Sequence, residues 1–421
     1  MTPEKLFGDI LNLGKSWEIR NVDYNSPGNK VYLVVGETKH LWEQEKCGKD
    51  GGSVSCYDHV EAREWRHLNV FNKECVIICS LPRGKCSVCG QIYRVTPPWE
   101  GQSKHFSKEF EAFALTLMRE MPVKKVGEIM GETDKRLWRM LIAHVEVAYG
   151  KLAMDDVYCV GVDEMSRAKG QRYVTVFADL VKRRVLFATP GKDAATWGEF
   201  IKALEAHNGH RHAITQVSMD MSPAYQSGVK EHCRNAAIVF DKYHVIAQLN
   251  KAVDDVRTLE QRRGDAAVRK QLHKSAWLWR KNPHNLTPNE QIRMKRIDHS
   301  MLVTSKAYQM RLALQEIYAI PYRSHAKRRF LSWCKWVRRE VKKSKWTMLE
   351  AMGKAAQMIE SHLEGILAHW LDGITNAYME GLNSVFSAVR RKARGYRSCT
   401  YLITMLYFVA AKLSIPNPSF H

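Results

Sequence analysis

At 421 residues the chain exceeds one ordinary small core, so roughly two to four folding units are expected. Sixty-five Lys and Arg against 44 acidic residues leave a formal charge of +21, which favours a polyanionic partner because cations on a nucleic-acid backbone release condensed counterions. A hydrophobic content of 45% with 12 Trp and 16 Tyr excludes wholesale disorder, and ten Cys with no secretory leader point to thiols or metal ligands in a reducing compartment rather than to a disulfide framework.

The first 17 residues carry two early acids and no sustained apolar run, unlike a signal peptide. The longest apolar stretch, Tyr401 to Leu413, is broken by Thr404 and Lys412 and is too short to span a bilayer, so no membrane partner is expected. Strand-like runs occur at Lys30 to Val35 and Cys75 to Cys79 inside a region rich in Cys and Gly, and Pro97 to Ser103 reads as a linker. Helical periodicity then holds from Lys108 to about Gly150. From Val157 three strand-like runs (Val157–Val162, Arg172–Phe177, Arg184–Phe187) precede a helix at Ala194–Ala206. A strand at Ile214–Ser218, another helix and a strand at Ala236–Phe240 follow, which together predict a mixed α/β sheet. Beyond Val245 the pattern is helical. The expected units are 1–98, 104–150 and 155–245, then a helical insertion at 246–370, and a returning segment at 371–413.

Three constellations carry chemistry. The first is Cys86-Ser-Val-Cys89-Gly90, half of a zinc knuckle. Its partner half is degenerate: Cys47-Gly48 ends like a knuckle, but Gln44 stands where the other Cys would be, which leaves Cys56 as the nearest substitute and His40 and His59 in reserve. Cys47, Cys56, Cys86 and Cys89 thus read as a zinc ribbon, or as buried free thiols in a decayed one. The second constellation is a helix-turn-helix: Val123–Met130, the turn Gly131-Glu-Thr133, and Asp134–Leu141. Lys135, Arg136 and Arg139 would be offered to a major groove while Leu137, Met140 and Leu141 face inward. A helical hairpin in an unrelated core gives the same pattern.

The third is acidic. Asp163 closes the first strand of the α/β region and Asp220 the fourth. In a sheet of order 3-2-1-4-5 these strands are parallel neighbours, so both carboxylates meet at the edge where such sheets bind ligands. Adjacent carboxylates repel unless a cation lies between them, which suits Mg²⁺ or Mn²⁺. Asp241 closes the fifth strand, where a helix N-cap is the alternative role. A further ligand is expected from Glu380, which heads a polar helical stripe of Asn383, Ser384, Ser387 and Arg391, opposite an apolar face of Tyr378, Leu382, Val385, Phe386 and Val389. Asp372 and Glu364 are its rivals.

Several stretches resemble the ISL-three family of insertion-sequence transposases, in the family's order and over nearly the full length: Tyr57-Asp-His with Trp65-Arg-His-Leu, Val162-Asp-Glu, Val217–Tyr225, Phe240-Asp-Lys-Tyr-His244, and Asn376–Asn383 with Arg390–Tyr396. The resemblance implies a multidomain protein: an N-terminal zinc ribbon, an all-α helix-turn-helix, and an α/β RNase H-like catalytic domain with a large helical insertion. It also implies a DDE enzyme whose Asp163, Asp220 and Glu380 hold two Mg²⁺ (or Mn²⁺) ions for cleavage and strand transfer of DNA. Asp241 and His244 would stand behind them, orienting Asp220 or a water. Implied partners are double-stranded DNA (terminal inverted repeats and target) and further copies of the chain on that DNA. Arg390, Arg391, Lys392 and Arg394 are candidate DNA contacts, and Tyr322–Trp346, with ten cations and one acid, is a candidate backbone-contacting stretch. Within it Trp333, Trp336 and Trp346 suit either base stacking or, more readily, core packing. A DNA-binding regulator with structural acids, or a metal-dependent nuclease without strand transfer, are the alternative functions.

Overall fold

The computed structural model describes residues 2–168, 172–297, 299, 302–343, 347–370 and 377–416. These form two compact units, one made of residues up to Leu152 together with those from Phe386 onward, the other of Ala153–Val385. No helix among the described residues is long and apolar enough to cross a membrane.

The first unit starts with α1 (Pro3–Ile10), β1 (Trp17–Asn25), β2 (Lys30–Glu37), α2 (Lys39–Gln44), β3 (Val54–His59), β4 (Arg63–Val70), β5 (Lys73–Cys79), β6 (Pro82–Cys86) and β7 (Ile92–Arg94). Four of these strands make a sheet of order β1-β2-β5-β4, with β2 and β5 parallel; the other three make an antiparallel sheet, β3-β6-β7. The N-terminal region is therefore larger than a ribbon. Its core gathers Trp17, Leu33, Trp65, Ile77 and Leu81. β1 and β4 escape the sequence reading because both are edge strands, with polar residues such as Arg20, Asp23, Glu64 and Asn69 breaking the apolar run.

The expected linker is no free tether. Trp99 is buried in that same core, edge-on to Trp17 at 5.1 Å and to Trp65 at 6.0 Å. Next come α3 (Lys108–Glu120), α4 (Val123–Met130) and α5 (Asp134–Gly150). Glu111 of α3 is buried, and its carboxylate accepts the backbone N–H groups of Gln102 and Ser103 at 2.8 and 2.7 Å and faces His144 Nε2 of α5 at 2.9 Å. One side chain thus binds the connecting segment to two helices.

The second unit is built on β8 (Cys159–Ala168), β9 (Arg172–Asp179), β10 (Arg184–Pro190), α6 (Ala195–Ala206), β11 (Gln216–Met219), α7 (Pro223–His232) and β12 (Ala237–Phe240). The strand order is β10-β9-β8-β11-β12, the 3-2-1-4-5 arrangement on which the acidic constellation depends. β8 is antiparallel to β9 and parallel to β11, and β11 is parallel to β12. Phe177 and Phe200 stack at 4.3 Å with Trp197 edge-on to both, fastening α6 to the sheet.

The helical stretch that follows holds α8 (Lys242–Arg263), α9 (Ala266–Leu272), α10 (Ala276–Arg280), α11 (Pro288–Lys295), α12 (Val303–Ile317), α13 (Arg323–Lys343), α14 (Glu350–Ser361) and α15 (Leu363–Leu367). Trp333 is buried and donates its indole N–H to the Met310 carbonyl at 2.8 Å, so it packs rather than stacks on bases. Trp336 is half-buried, and Trp346 lies outside the described residues. The chain ends with α16 (Ala377–Lys392) and α17 (Cys399–Ala410). The expected single segment 371–413 divides within α16: residues from Phe386 belong with the first unit, where Tyr401 stacks on Trp138 of α5 at 4.2 Å.

Candidate functional site

β8 and β11 run side by side with Gln216 opposite Cys159 and Ser218 opposite Gly161. Continuing that register by two residues brings Asp163 of β8 level with Asp220, the residue directly after β11. The apolar residues before each acid (Val160, Val162, Val217, Met219) are buried, which fixes the register and leaves the two carboxylates half-buried at the carboxyl edge. Burial raises the Asp163 pKa, as does the nearby Asp220 charge; hydrogen bonds from Asn383 and the Glu164 N–H, and the proximity of His244, act the other way. Asp220 accepts the Ser222 N–H at 2.8 Å, a turn that starts α7.

α16 is seated beside these acids by a close approach that only glycine allows. A Cβ on Gly161 would lie 2.8 Å from Met379 Cγ and 2.6 Å from Leu180 Cδ2. With Met379 buried there, Asn383 one turn on donates its amide to Asp163 Oδ2 at 2.5 Å. Glu380 is three residues before Asn383 and therefore on the same helical face; its side chain lies outside the described residues, as does all of Asp372. Glu364, the other rival, is exposed and paired with Arg323 and Lys327 at 2.8 and 2.7 Å.

His244 lies on the first turn of α8, within electrostatic reach of Asp163. Asp241 caps α8, accepting the Tyr243 N–H at 3.0 Å, and its charge acts on Tyr318 and His369. The N-cap role of Asp241 is thus realised. The sequence reading missed Glu164. Burial raises its pKa, followed by the Asp220 charge, while Lys192 and a hydrogen bond with Tyr225 oppose the rise. Tyr225 in turn meets Thr175 Oγ1 at 3.0 Å. The signal was its place directly after Asp163, hidden by the expectation that neighbouring strand residues face opposite ways.

A second cluster occupies the small sheet. Cys47, Asp50, Cys86 and Cys89 place one ligand atom each within 4.8 Å of all the others. Cys47 Sγ and Cys89 Sγ are 3.7 Å apart, and Cys86 Sγ is 3.3 Å from Asp50 Oδ1. Zn–S bonds of about 2.3 Å in a tetrahedron give S···S separations of about 3.8 Å, so the spacing fits zinc. The Val88 N–H points at Cys86 Sγ at 3.4 Å, and Gly90, at φ +69°, completes the knuckle. Backbone N–H groups of Cys89 and Val88 lower the Cys86 thiol. Asp50 is lowered to about 2 by the Gly52 N–H and the surrounding thiols. The expected ligand Cys56 is not in this cluster. Val54, not Cys56, pairs with Cys86, so Cys56 is two rungs, roughly 7 Å, farther along β3, where it groups with Glu37 and His59. His40, the other reserve, faces Glu43 at 2.9 Å.

The helix-turn-helix forms as expected. Gly131, at φ +71°, ends α4, and Thr133 caps α5 by accepting the Arg136 N–H at 3.4 Å. Leu137, Met140 and Leu141 are buried, and Lys135 and Arg139 are exposed. Arg136 differs: it pairs with Glu132 at 2.8 Å and lies over the Phe106 ring at 4.8 Å, which holds the turn rather than leaving the guanidinium outward. At the far end of α16, Arg391 and Arg394 are exposed, Arg390 is half-buried, and Lys392 donates to the Glu120 carbonyl at 3.1 Å.

Comparison with known sequences bears on this arrangement. A family profile described as transposase matches residues 160–406, and another, described as the helix-turn-helix domain of transposase family ISL3, matches residues 95–145. The chain is 24% identical to the transposase for insertion sequence element IS1001 of Bordetella parapertussis, over 93% of each chain. It is also 24% identical to the transposase for insertion sequence element IS1557 of Mycobacterium tuberculosis, over 97% of this chain and 95% of the relative.

Proposed function

Because the chain belongs to the ISL3 family of transposases, we propose that Asp163, Asp220 and Glu380 hold two divalent ions at a centre that cuts the ends of an insertion sequence and joins them to target DNA. The observation that carries this reading is the levelling of Asp163 with Asp220 on adjacent parallel strands. Two half-buried carboxylates side by side, with burial and the Asp220 charge both raising the Asp163 pKa, suit a cation with hard oxygen preference. When bound, Mg²⁺ or Mn²⁺ supplies activation of a water or a DNA 3′-hydroxyl and charge relief at the departing oxygen of an in-line phosphoryl displacement.

The chain's own residues hold the ligands still. Asn383 fixes one oxygen of Asp163 and the Glu164 N–H the other; the Ser222 N–H fixes Asp220; Tyr225 and Thr175 steady Glu164. No covalent protein–DNA intermediate is required, so no Ser or Tyr nucleophile is assigned. We read the sheet, with α16 seated on β8, as an RNase H-like fold. The first unit would recognise the element's ends through Lys135 and Arg139, on a scaffold held by Zn²⁺ at Cys47, Asp50, Cys86 and Cys89. Two ends per element and one centre per chain call for more than one copy on the DNA.

The test is cleavage of a duplex carrying the element's end in Mg²⁺. Asp163→Asn, Asp220→Asn and Glu380→Gln should each lower cleavage by orders of magnitude while end binding persists. Wild-type cleavage by any of the three would remove that residue from the centre. A wild-type chain that binds ends but never nicks them would be a regulator, and one that cuts without joining would be a nuclease.

A further inference from the structure

The helical insertion contains a basic concavity that the most basic stretch of the sequence does not supply. It encloses about 710 Å³ between the end of α8 and α9, and is lined by Thr258, Gln261, Arg262, Arg269, Lys270 and His273, with no acid among them. The acids nearest in sequence do not line it. Glu260 is buried and accepts the Val303 and Thr304 N–H groups, both at 2.7 Å, and the Thr304 hydroxyl at 2.6 Å. Asp265 caps α9 through the Val268 N–H at 2.9 Å. Arg262, Arg269, Lys270 and His273 are exposed and take part in no ion pair among the described residues. Arg269 Nε donates to the Gly264 carbonyl at 3.0 Å, which sets the guanidinium without neutralising it.

α13 makes the opposite use of its cations. Arg323 and Lys327 are bound to Glu364, Arg338 to Glu360, and Arg339 and Lys343 to Glu340. Only part of that helix's charge, at residues such as Arg328 and Lys335, is left for a ligand. Where α8 gives way to α9, by contrast, every Lys and Arg lining the concavity is without an acid partner among the described residues. Its wall offers long flexible cations, a hydroxyl, an amide and the His273 imidazole, but no Phe, Tyr or Trp.

We propose that this concavity is a second DNA-binding surface, which grips backbone phosphates of the duplex and reads no bases. The proposal rests on the DNA-binding role of the family and is independent of the metal centre. Phosphate contacts position a duplex without carrying sequence information, and each phosphate neutralised adds about 0.9 to the slope of log K against log salt. Contacts from Arg262, Arg269 and Lys270 would together contribute about 2.7 to that slope.

The experiment uses the full-length chain in EDTA, so that cleavage plays no part, and a duplex carrying the element's end with flanking DNA. Equilibrium binding is followed from 50 to 200 mM NaCl. The triple variant R262A/R269A/K270A should lose about 2 to 3 from the salt slope and keep its preference for the end over random DNA. R323A/K327A, which removes the same kind of charge from α13, should change the slope by less than about 1. Because EDTA withholds the metal, the slope does not depend on the catalytic acids, so failure of the catalytic assignment is separable from failure here. An unaltered slope in the triple variant would overturn the proposal. So would an equal fall in R323A/K327A, or loss of end preference, which would mean that the surface reads sequence.

Discussion

The hydrogen bond from Asn383 to Asp163 ties α16 to the sheet edge at the proposed metal centre, and Asn383→Ala removes it alone. The bond is 2.5 Å long, and the carboxylate it meets is half-buried. A hydrogen bond to a charged group contributes about 1.5–3 kcal/mol, and each 1.36 kcal/mol is a factor of ten in rate. If the bond serves to hold Asp163 in its metal-binding position, cleavage should fall roughly 10- to 150-fold. Raising Mg²⁺ should recover part of the loss, because the ligand is misplaced rather than missing. Single-turnover cleavage of an end duplex across a Mg²⁺ series measures both effects, with end binding in EDTA as the control. Cleavage within about threefold of wild type at every Mg²⁺ concentration would refute the reasoning, since an idle contact could not then be what orients Asp163.

Other outcomes test the remaining assignments. Purified protein should carry one Zn²⁺ at the small sheet; Cys86→Ser and Asp50→Ala should release it and loosen that sheet, whereas Cys56→Ser should retain it, and elemental analysis decides. Lys135→Ala or Arg139→Ala should weaken end binding by about 1–3 kcal/mol if either meets a base edge. Arg136→Ala should act mainly on stability, because it strands the half-buried Glu132; binding assays paired with thermal melts separate the two. His67, largely buried beside Arg66 and facing Ser107 Oγ at 2.7 Å, has its pKa lowered to about 4 by desolvation and by the Arg66 charge. The unfolded chain therefore takes up the proton first, and about 3 kcal/mol of stability should be lost as the pH falls from about 6.5 to 4. Urea unfolding of His67→Gln should lack that component, and identical pH slopes in both proteins would show that His67 is not its source.

The α/β region was legible because its strands are central and apolar: Val160, Val162, Val217 and Met219 announce both the strands and the positions of Asp163 and Asp220. Edge strands β1 and β4 were not, since polar residues interrupt them. The zinc cluster was half legible. Cys86 and Cys89 are set by a local knuckle, but Asp50 enters through a turn closed by the Gly51 N–H on the Cys47 carbonyl, and Cys56 is excluded by cross-strand register. Neither shows in spacing alone. Arg136 matched the groove-facing pattern, yet its alternative partners, Glu132 and Phe106, are visible only once the turn is folded. The concavity at the end of α8 was likewise out of reach, because a count of Lys and Arg cannot tell a cation paired with an acid from one without.

Glu111 limits how this protein can be recombined. Its carboxylate is shared between the segment that leaves the N-terminal sheets and a histidine on the recognition helix. A chimera that imported only the helix pair from a relative would strand that buried charge, at about 3–5 kcal/mol. The sheets, the connecting segment and the helices are therefore inherited as one cassette. Exchanges that retarget the protein to another element's ends should move everything up to Gly150 together with the segment from Phe386 that packs on α5, and never splice at Pro97 and Pro98.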